Sequence, residues 1–489
     1  MISCKGGEVD EMTDVEAVSR EGSDVTIEGG AIEGLSEKLR GDVLTSDAPD
    51  YEEARLIWNG MIDRRPALIA RCIGTADVVD AVNFAREHDL LVAVRGGGHN
   101  VAGHAVCDAG FVIDLSAMRG VLVDPGARTV RLQGGAQLGD VDRATQLHAL
   151  ATPTGLVSET GVAGLALGGG YGHLRRRFGL TCDNLIGAEV VTARGEIVRC
   201  TEDENADLLW GLRGGGGNFG VVTEFELRAW EVGPEVEFVF VLYPLERAEQ
   251  VFAAYREWAG DAPDEVSTVI FTGIVPEAEE FPAEAHGEHY VAILGVHSGP
   301  EDVAERETKP LRKMADPIAD MSGRIPYVAA QSAFDEDYPA HDLRYYWKSS
   351  FVRSLEDGLI ERIIERSWEQ PSPHSTLDIW QGGGQAARVD ESSAAFSGRG
   401  APYMVNAESN WERAGDDDAN IAWARNIYAD MQEFTTGAMY FNFPGGHEEG
   451  DEVIRSTFGD KHRRLSKLKA EYDPRNMFHL NQNIEPLAE

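Results

Sequence analysis

Apolar and polar residues change rhythm several times along this chain, and each rhythm predicts an element. In TADVVDAVNFAREHDL the apolar residues recur every three or four positions, which predicts a helix with Thr75 as its N-cap. The run LVAVRGG after it is apolar until its arginine and glycines, as a buried strand would be. Upstream, DYEEARLIWNGMIDRRPALIARC reads as a helical stretch and a short strand ending near Cys72, so the chain opens in α/β fashion. GFVIDLSAM and GVLVDPGARTVRLQGG read as strands, with DPGA as a turn, and QLGDVDRATQLHAL as a helix. LIGAEVVTARGEIVRC reads as a hairpin turning at Arg194-Gly195.

Beyond about residue 232 the glycine runs thin out. Long strands such as VEFVFVLYPL, HYVAILGVHSG and APYMVNAESNW now alternate with helices such as ERAEQVFAAYREWAG. That texture predicts a second domain, mainly antiparallel sheet covered by helices. The turn-rich stretch 440–489 is placed back on the first domain. Residues 1–49 are rich in acid, Gly and Ser with only a weak apolar pattern near Ile32 to Leu39, which predicts a partly ordered acidic extension.

Composition narrows the function classes. A chain of 489 residues with 43 % apolar content can bury two cores. Its 83 acidic residues against 44 Lys plus Arg give a formal net charge of -39, which argues against nucleic-acid and membrane partners. Only eight of those cations are Lys, and acid excess with scarce Lys reads as adaptation to concentrated salt. Five cysteines without a C-x-x-C pair indicate neither a zinc site nor a disulfide framework. No leader-like start and no apolar run of membrane-spanning length occur, so a cytoplasmic location is expected. The acid run at 448–452 reads as a solvated face with no role in a site.

Candidate chemistry concentrates in three glycine clusters: RGGGHNVAG after a strand, GVAGLALGGGYG at 161–172 and GLRGGGGNFGVV at 211–222. Lacking Cβ, such backbone can approach a phosphate and turn its N–H groups toward the oxygens, or it can simply form tight turns. No Gly-Lys-Ser/Thr follows any cluster, and the dinucleotide fingerprint is missing near the start. His99 and His104 lack a third ligand at supporting spacing, so no metal is expected.

Four motifs, in order, resemble the FAD-linked oxidases of the berberine bridge enzyme type, which have a vanillyl-alcohol oxidase-type FAD domain. They are RGGGHNVAG, TGVAGLALGGGYGHLRRRFGLTCDNL, ENADLLWGLRGGGGNFGVVTEFEL and YDPRNMFHLNQNI, and the likeness covers about 50 to 487. The resemblance implies an α+β, two-domain flavoprotein: an FAD-binding domain at 50–232, a substrate domain of mainly antiparallel sheet plus helices at 233–439, and a C-terminal return at 440–489. It implies FAD bonded covalently to His99 through the flavin's 8α carbon. It further implies a cofactor lining of Arg95, Gly96, Gly97, Gly98, Asn100, Thr160, Gly161, Gly164, Gly168, Gly169, Gly170, Asp183, Asn184, Asn218, Gly220, Val222, Asn481 and Asn483. The implied reaction is hydride transfer from an alcohol or amine C–H of a small substrate, a sugar or secondary metabolite, with O2 as acceptor. A dehydrogenase with another acceptor and a flavin- or carbohydrate-binding module without turnover are the alternatives.

Two departures from the family's pattern matter. Val157 stands where many relatives carry a second, cysteinyl link, so none is expected here. Where relatives carry Tyr-x-Asn-Tyr, with the last tyrosine as base, this chain has YFNF, and Phe443 cannot exchange a proton. Strand alternation would put Tyr440 on the face opposite Phe443. Tyr440, Tyr171 and Tyr403 are the catalytic candidates, with Tyr345, Tyr346, Lys348 and Gln381 as further contacts. RYYWKSSF at 344–351 is expected either to wall an aromatic pocket or to be a core strand.

Overall fold

The strand Glu235–Pro244 shows how alternation builds the second domain. Val239, Val241 and Tyr243 bury against the helices Ala248–Gly260, Asp357–Trp368 and Asp417–Met431, while Phe238, Phe240 and Leu242 face the first domain. The sheet is antiparallel and eight-stranded, running Ala319–Asp320, Glu235–Pro244, His289–His297, Val266–Ile274, Thr376–Gln381, Tyr403–Trp411, Arg344–Val352, with Gly323–Pro326 also paired to Glu235–Pro244. Helices cover one face, as expected, and the other face is left for the site.

The structure is a computed structural model describing residues 12–444 and 450–488. The opening of the acidic extension, Cys4 and the start of the acid run at 448–452 lie outside the described residues.

Two sheets form the first domain. Leu68–Arg71 and Val92–Arg95 both pair in parallel with Phe111–Asp114. An antiparallel sheet runs Ile197–Thr201, Leu185–Val191, Val221–Arg228, Thr129–Gln133, Val121–Asp124. The helix Thr75–Glu87 packs Val78, Ala81 and Val82 in one cluster with Ile113 of the first sheet and Val191 and Val221 of the second. Its N-cap is Gly74; the Thr75 hydroxyl instead donates to Glu189 at 2.8 Å, and Asp77 accepts from the Ile73 amide at 2.9 Å.

The N-terminal segment departs from expectation. Residues 12–44 form the hairpin Val15–Val18/Asp24–Ile27, the helix Gly29–Lys38 and an edge strand, Asp42–Leu44, paired with Leu68–Arg71. Ile27, Ile32 and Leu35 are buried in the same cluster as the Thr75–Glu87 helix. These elements escape a periodicity reading because the strands are four residues or shorter and the helix GGAIEGLSEK has too few apolar residues, Ala31, Ile32 and Leu35, to repeat a pattern.

The C-terminal stretch returns to the first domain. Leu465 and Leu468 of the helix His462–Tyr472 join the antiparallel sheet's core, as does Ile484. Lys469 and Asp473, both fully buried, pair at 2.7 Å, and Lys469 Nζ also donates to the Asn218 and Phe478 carbonyls. A buried pair with its remaining donors satisfied fixes where the following loop, with Asn481, must run.

Candidate active site

Between the two domains lies a cavity of about 1480 Å³, larger than a typical small-molecule pocket. All three glycine clusters line one part of it, and the free face of the eight-stranded sheet lines another. Gly97 and Gly161 show why Cβ is absent there: a Cβ on either would fall 2.4 Å from the other's amide nitrogen, so the loops touch backbone to backbone. Gly164 and Gly217 instead have open space in front of them.

His99 is reached from this cavity. Its ring stacks on Trp58 at 4.0 Å and 16°, and Trp58 stacks on Tyr345 of the second domain at 3.6 Å. The Trp58 indole donates to the Tyr338 carbonyl at 2.9 Å, which fixes the middle ring. Desolvation pulls the His99 pKa down to about 3, so the imidazole is neutral, and its Nε2 has no hydrogen-bond partner. A neutral imidazole on the cavity wall, with one ring nitrogen left unpartnered, suits a covalent link to a bound group.

Most expected lining residues do reach the cavity: Gly96, Gly97, Gly98, Asn100, Thr160, Gly161, Gly164, Gly168, Gly220, Val222 and Asn481. Others do not. Arg95 donates to the Ala54 carbonyl, and Gly169 and Gly170 form the positive-φ turn behind the lining. Asp183 is buried in an ion pair with Arg399, and Asn184 accepts from the Trp230 indole at 2.8 Å while donating to the Phe178 and Leu180 carbonyls. These two brace the segment that follows the glycines. Asn218 ties the C-terminal loop by accepting from the Ile484 amide at 3.0 Å. Asn483 is outside the lining, with its Oδ1 buried and unpartnered.

Of the tyrosines, Tyr171 and Tyr440 line the cavity and Tyr403 does not. Alternation along Tyr403–Trp411 sends Tyr403, Val405 and Ala407 to the helix-covered core. Tyr346 joins that core too, while the Gln381 amide is spent on Thr268 and the Ala259 carbonyl. The segment 440–443 is not a strand: the Phe443 amide donates back to the Tyr440 carbonyl, and the two rings meet edge to face at 4.8 Å. Tyr440 and Phe443 therefore share the cavity instead of facing opposite ways. The Tyr440 oxygen accepts from the Gly170 and Tyr171 amides and from Asn442 Nδ2 at 3.0, 3.2 and 2.9 Å, and burial lifts its pKa to about 12. So held, it pins the glycine turn and is a poor proton acceptor.

The geometry adds a group that sequence reading missed. Asp378 and Glu408 lie on neighbouring strands, facing the cavity, and both are buried. Glu408 accepts from the Tyr338 hydroxyl and from Asn406 Nδ2, each at 2.7 Å. Desolvation raises both carboxyls, Glu408 further because the Asp378 charge opposes its own. Such a pair shares one proton and can take another. The signal was an acid in the interior of each of two strand-length runs, TLDIWQ and YMVNAESNW.

Residues 66–201 match the family described as FAD binding domain, and residues 439–485 the one described as berberine and berberine like. An FAD-linked oxidoreductase of Dictyostelium discoideum is 31 % identical over 92 % of this chain and 96 % of its own length. The chain belongs to the berberine bridge enzyme-like family of FAD-linked oxidoreductases. The (R)-6-hydroxynicotine oxidase of Paenarthrobacter nicotinovorans is 30 % identical over 92 % of this chain and 97 % of its own. The crystal structure of 6-hydroxy-D-nicotine oxidase from Arthrobacter nicotinovorans superposes with a TM-score of 0.81, at 28 % identity, over 92 % of this chain and 98 % of that one.

FAD fits the residues present. The touching glycine loops form a cradle that a Cβ would fill, Gly164 and Gly217 leave space beside it, and His99 Nε2 and Asn481 Oδ1 are buried without partners. Among the described residues no group of His, Cys, Asp and Glu could hold a metal, and no helix is long and apolar enough to cross a membrane.

Proposed function

We propose that this FAD-linked oxidoreductase is an oxidase that removes hydride from the C–H of an alcohol or amine carbon in a small molecule, with FAD held covalently by His99 and O2 as final acceptor. The observation that carries this reading is a neutral, unpartnered imidazole nitrogen and a buried acid pair opening onto the same cavity. When bound, FAD supplies the hydride acceptor.

The backbone at Gly96–Gly98, Thr160–Gly161, Gly164 and Gly220–Val222 would hold the cofactor, with Asn481 from the C-terminal loop. Trp58 keeps the His99 ring in one plane. Val157 lines the cavity, whereas none of the four described cysteines does, so the link runs through His99 alone.

On the substrate side, Asp378 and Glu408 accept the proton that the substrate's O–H or N–H gives up. The Tyr338 hydroxyl orients Glu408 for this, and Trp347, Trp380 and Phe443 keep water out. With Phe443 unable to exchange a proton, the acid pair takes the role a tyrosine plays in relatives.

Aerobic turnover with a panel of alcohols, sugars and amines tests the reading. One hydrogen peroxide per oxidised substrate is expected. Flavin that bleaches under nitrogen but is not restored by O2 would make the protein a dehydrogenase, and flavin untouched by the whole panel would leave a binding module.

A further inference from the structure

We infer that the substrate half of the cavity is built to seat a positively charged amine. The inference rests on the proposed oxidase reading and narrows its substrate class.

The three strands Thr376–Gln381, Tyr403–Trp411 and Arg344–Val352 lie side by side. They present Asp378, Trp380, Glu408 and Trp347 to the cavity. Trp347 and Glu408 are register partners, and Asp378 faces Asn406, two residues from Glu408. Phe443 meets Trp347 at 5.5 Å and Trp380 at 5.9 Å, and Tyr338 meets Trp347 at 6.0 Å, so aromatic rings adjoin the acids. One oxygen of Asp378, Oδ1, is buried without a partner.

No Lys or Arg lines the cavity among the described residues. Lys348, beside Trp347 in sequence, is turned to the opposite side, over the Tyr346 and Tyr428 rings. Six more carboxylates, on Glu277, Glu280, Glu336, Asp337, Asp342 and Glu412, stand exposed around the same cavity. They draw cations inward, but the acid-rich surface makes that attraction unspecific. The buried pair is different, because two desolvated carboxylates cannot both ionise without a counter-charge; no Lys or Arg among the described wall residues supplies one, and the His374 ring on that wall is paired with Glu412 at 3.3 Å. An ammonium group would supply it, and the neighbouring π faces favour the same charge. A neutral sugar could stack on the tryptophans but would leave the second carboxyl protonated.

In turnover the acid pair would take the ammonium N–H proton and the adjacent C–H would give up its hydride, so that the C–N bond becomes C=N; the two electrons the substrate loses are those that bound FAD would accept.

The test uses benzyltrimethylammonium and its uncharged isostere, neopentylbenzene, titrated into the holoenzyme at constant ionic strength while the flavin absorption is followed. The cation should bind at least about tenfold more tightly, equivalent to about 1.4 kcal/mol. Asp378→Asn and Glu408→Gln, each with the wild-type flavin spectrum, should each reduce that ratio several-fold. Equal affinity for the two probes, or a ratio unmoved in both variants, would overturn the inference. Neither probe needs to be oxidised. A panel in which no compound reduces the flavin therefore defeats the oxidase reading and leaves the charge preference to be judged by these titrations.

Discussion

Asp142 offers the sharpest energetic prediction. It projects from the helix Leu138–Gln146 of the first domain and meets Gln331 of the helix Tyr327–Gln331 from the second, both side chains being buried. Gln331 Nε2 donates to Asp142 Oδ2 at 3.2 Å, to Thr154 Oγ1 at 2.9 Å and to the Gly155 carbonyl at 3.1 Å. Asp142 Oδ1 and Gln331 Oε1 have no partners. Desolvation pushes the Asp142 pKa from 3.8 up to about 7, with the Asp335 charge adding to the rise. The folded protein therefore holds this proton more tightly than the unfolded chain does. The stability this contributes is complete below about pH 4 and is lost as pH rises through about 7, a span worth at most about 4 kcal/mol. Asp142→Asn keeps an acceptor for Gln331 and cannot ionise. Its urea midpoint should exceed the wild type's above pH 7, and the gap should shrink steadily toward pH 5. Parallel stability–pH curves for the two proteins, at fixed salt, would refute the burial argument.

Other consequences can be checked separately. Trp58→Leu removes the ring between His99 and Tyr345, and each such stack is worth about 0.5–1.5 kcal/mol. Reconstituted with FAD, this variant should bind the cofactor yet form the acid-stable link more slowly, while Trp58→Phe stays near wild type. Lys469→Met leaves Asp473 as an unpaired buried charge, which should cost about 3–5 kcal/mol in urea unfolding and lower the share of protein that incorporates flavin; an unchanged midpoint would count against the pair as the anchor of the C-terminal loop. Because both carboxyls of the Asp378/Glu408 pair titrate above the ordinary range, kcat/KM should fall with acid at a higher pH than a lone carboxylate gives. Glu408→Gln removes the opposing charge and should move that acid limb downward.

The first domain was largely legible because its elements carry clean local signals. Thr75–Glu87 has helical periodicity, and Gly195 sits at positive φ at the turn its sequence indicates. The cradle was legible for the same reason, since close backbone approach of the Gly97/Gly161 kind leaves glycine in the sequence. What stayed hidden depends on contacts distant in sequence. Asp183 reads as a ligand residue until Arg399 is seen against it, 216 positions away. Asp378 and Glu408 come together only when their strands pair, and Trp58 gains its role only between His99 and Tyr345. YFNF misled because alternation was applied to four residues that form a turn.

The proposed tether between His99 and FAD can be checked on the purified protein. Acid precipitation of the purified holoenzyme, with flavin measured in pellet and supernatant, tests it most directly. The yellow colour should stay with the wild-type pellet and move to the supernatant for His99→Ala. Flavin released from the wild type, or retained in the pellet by His99→Ala, would contradict it.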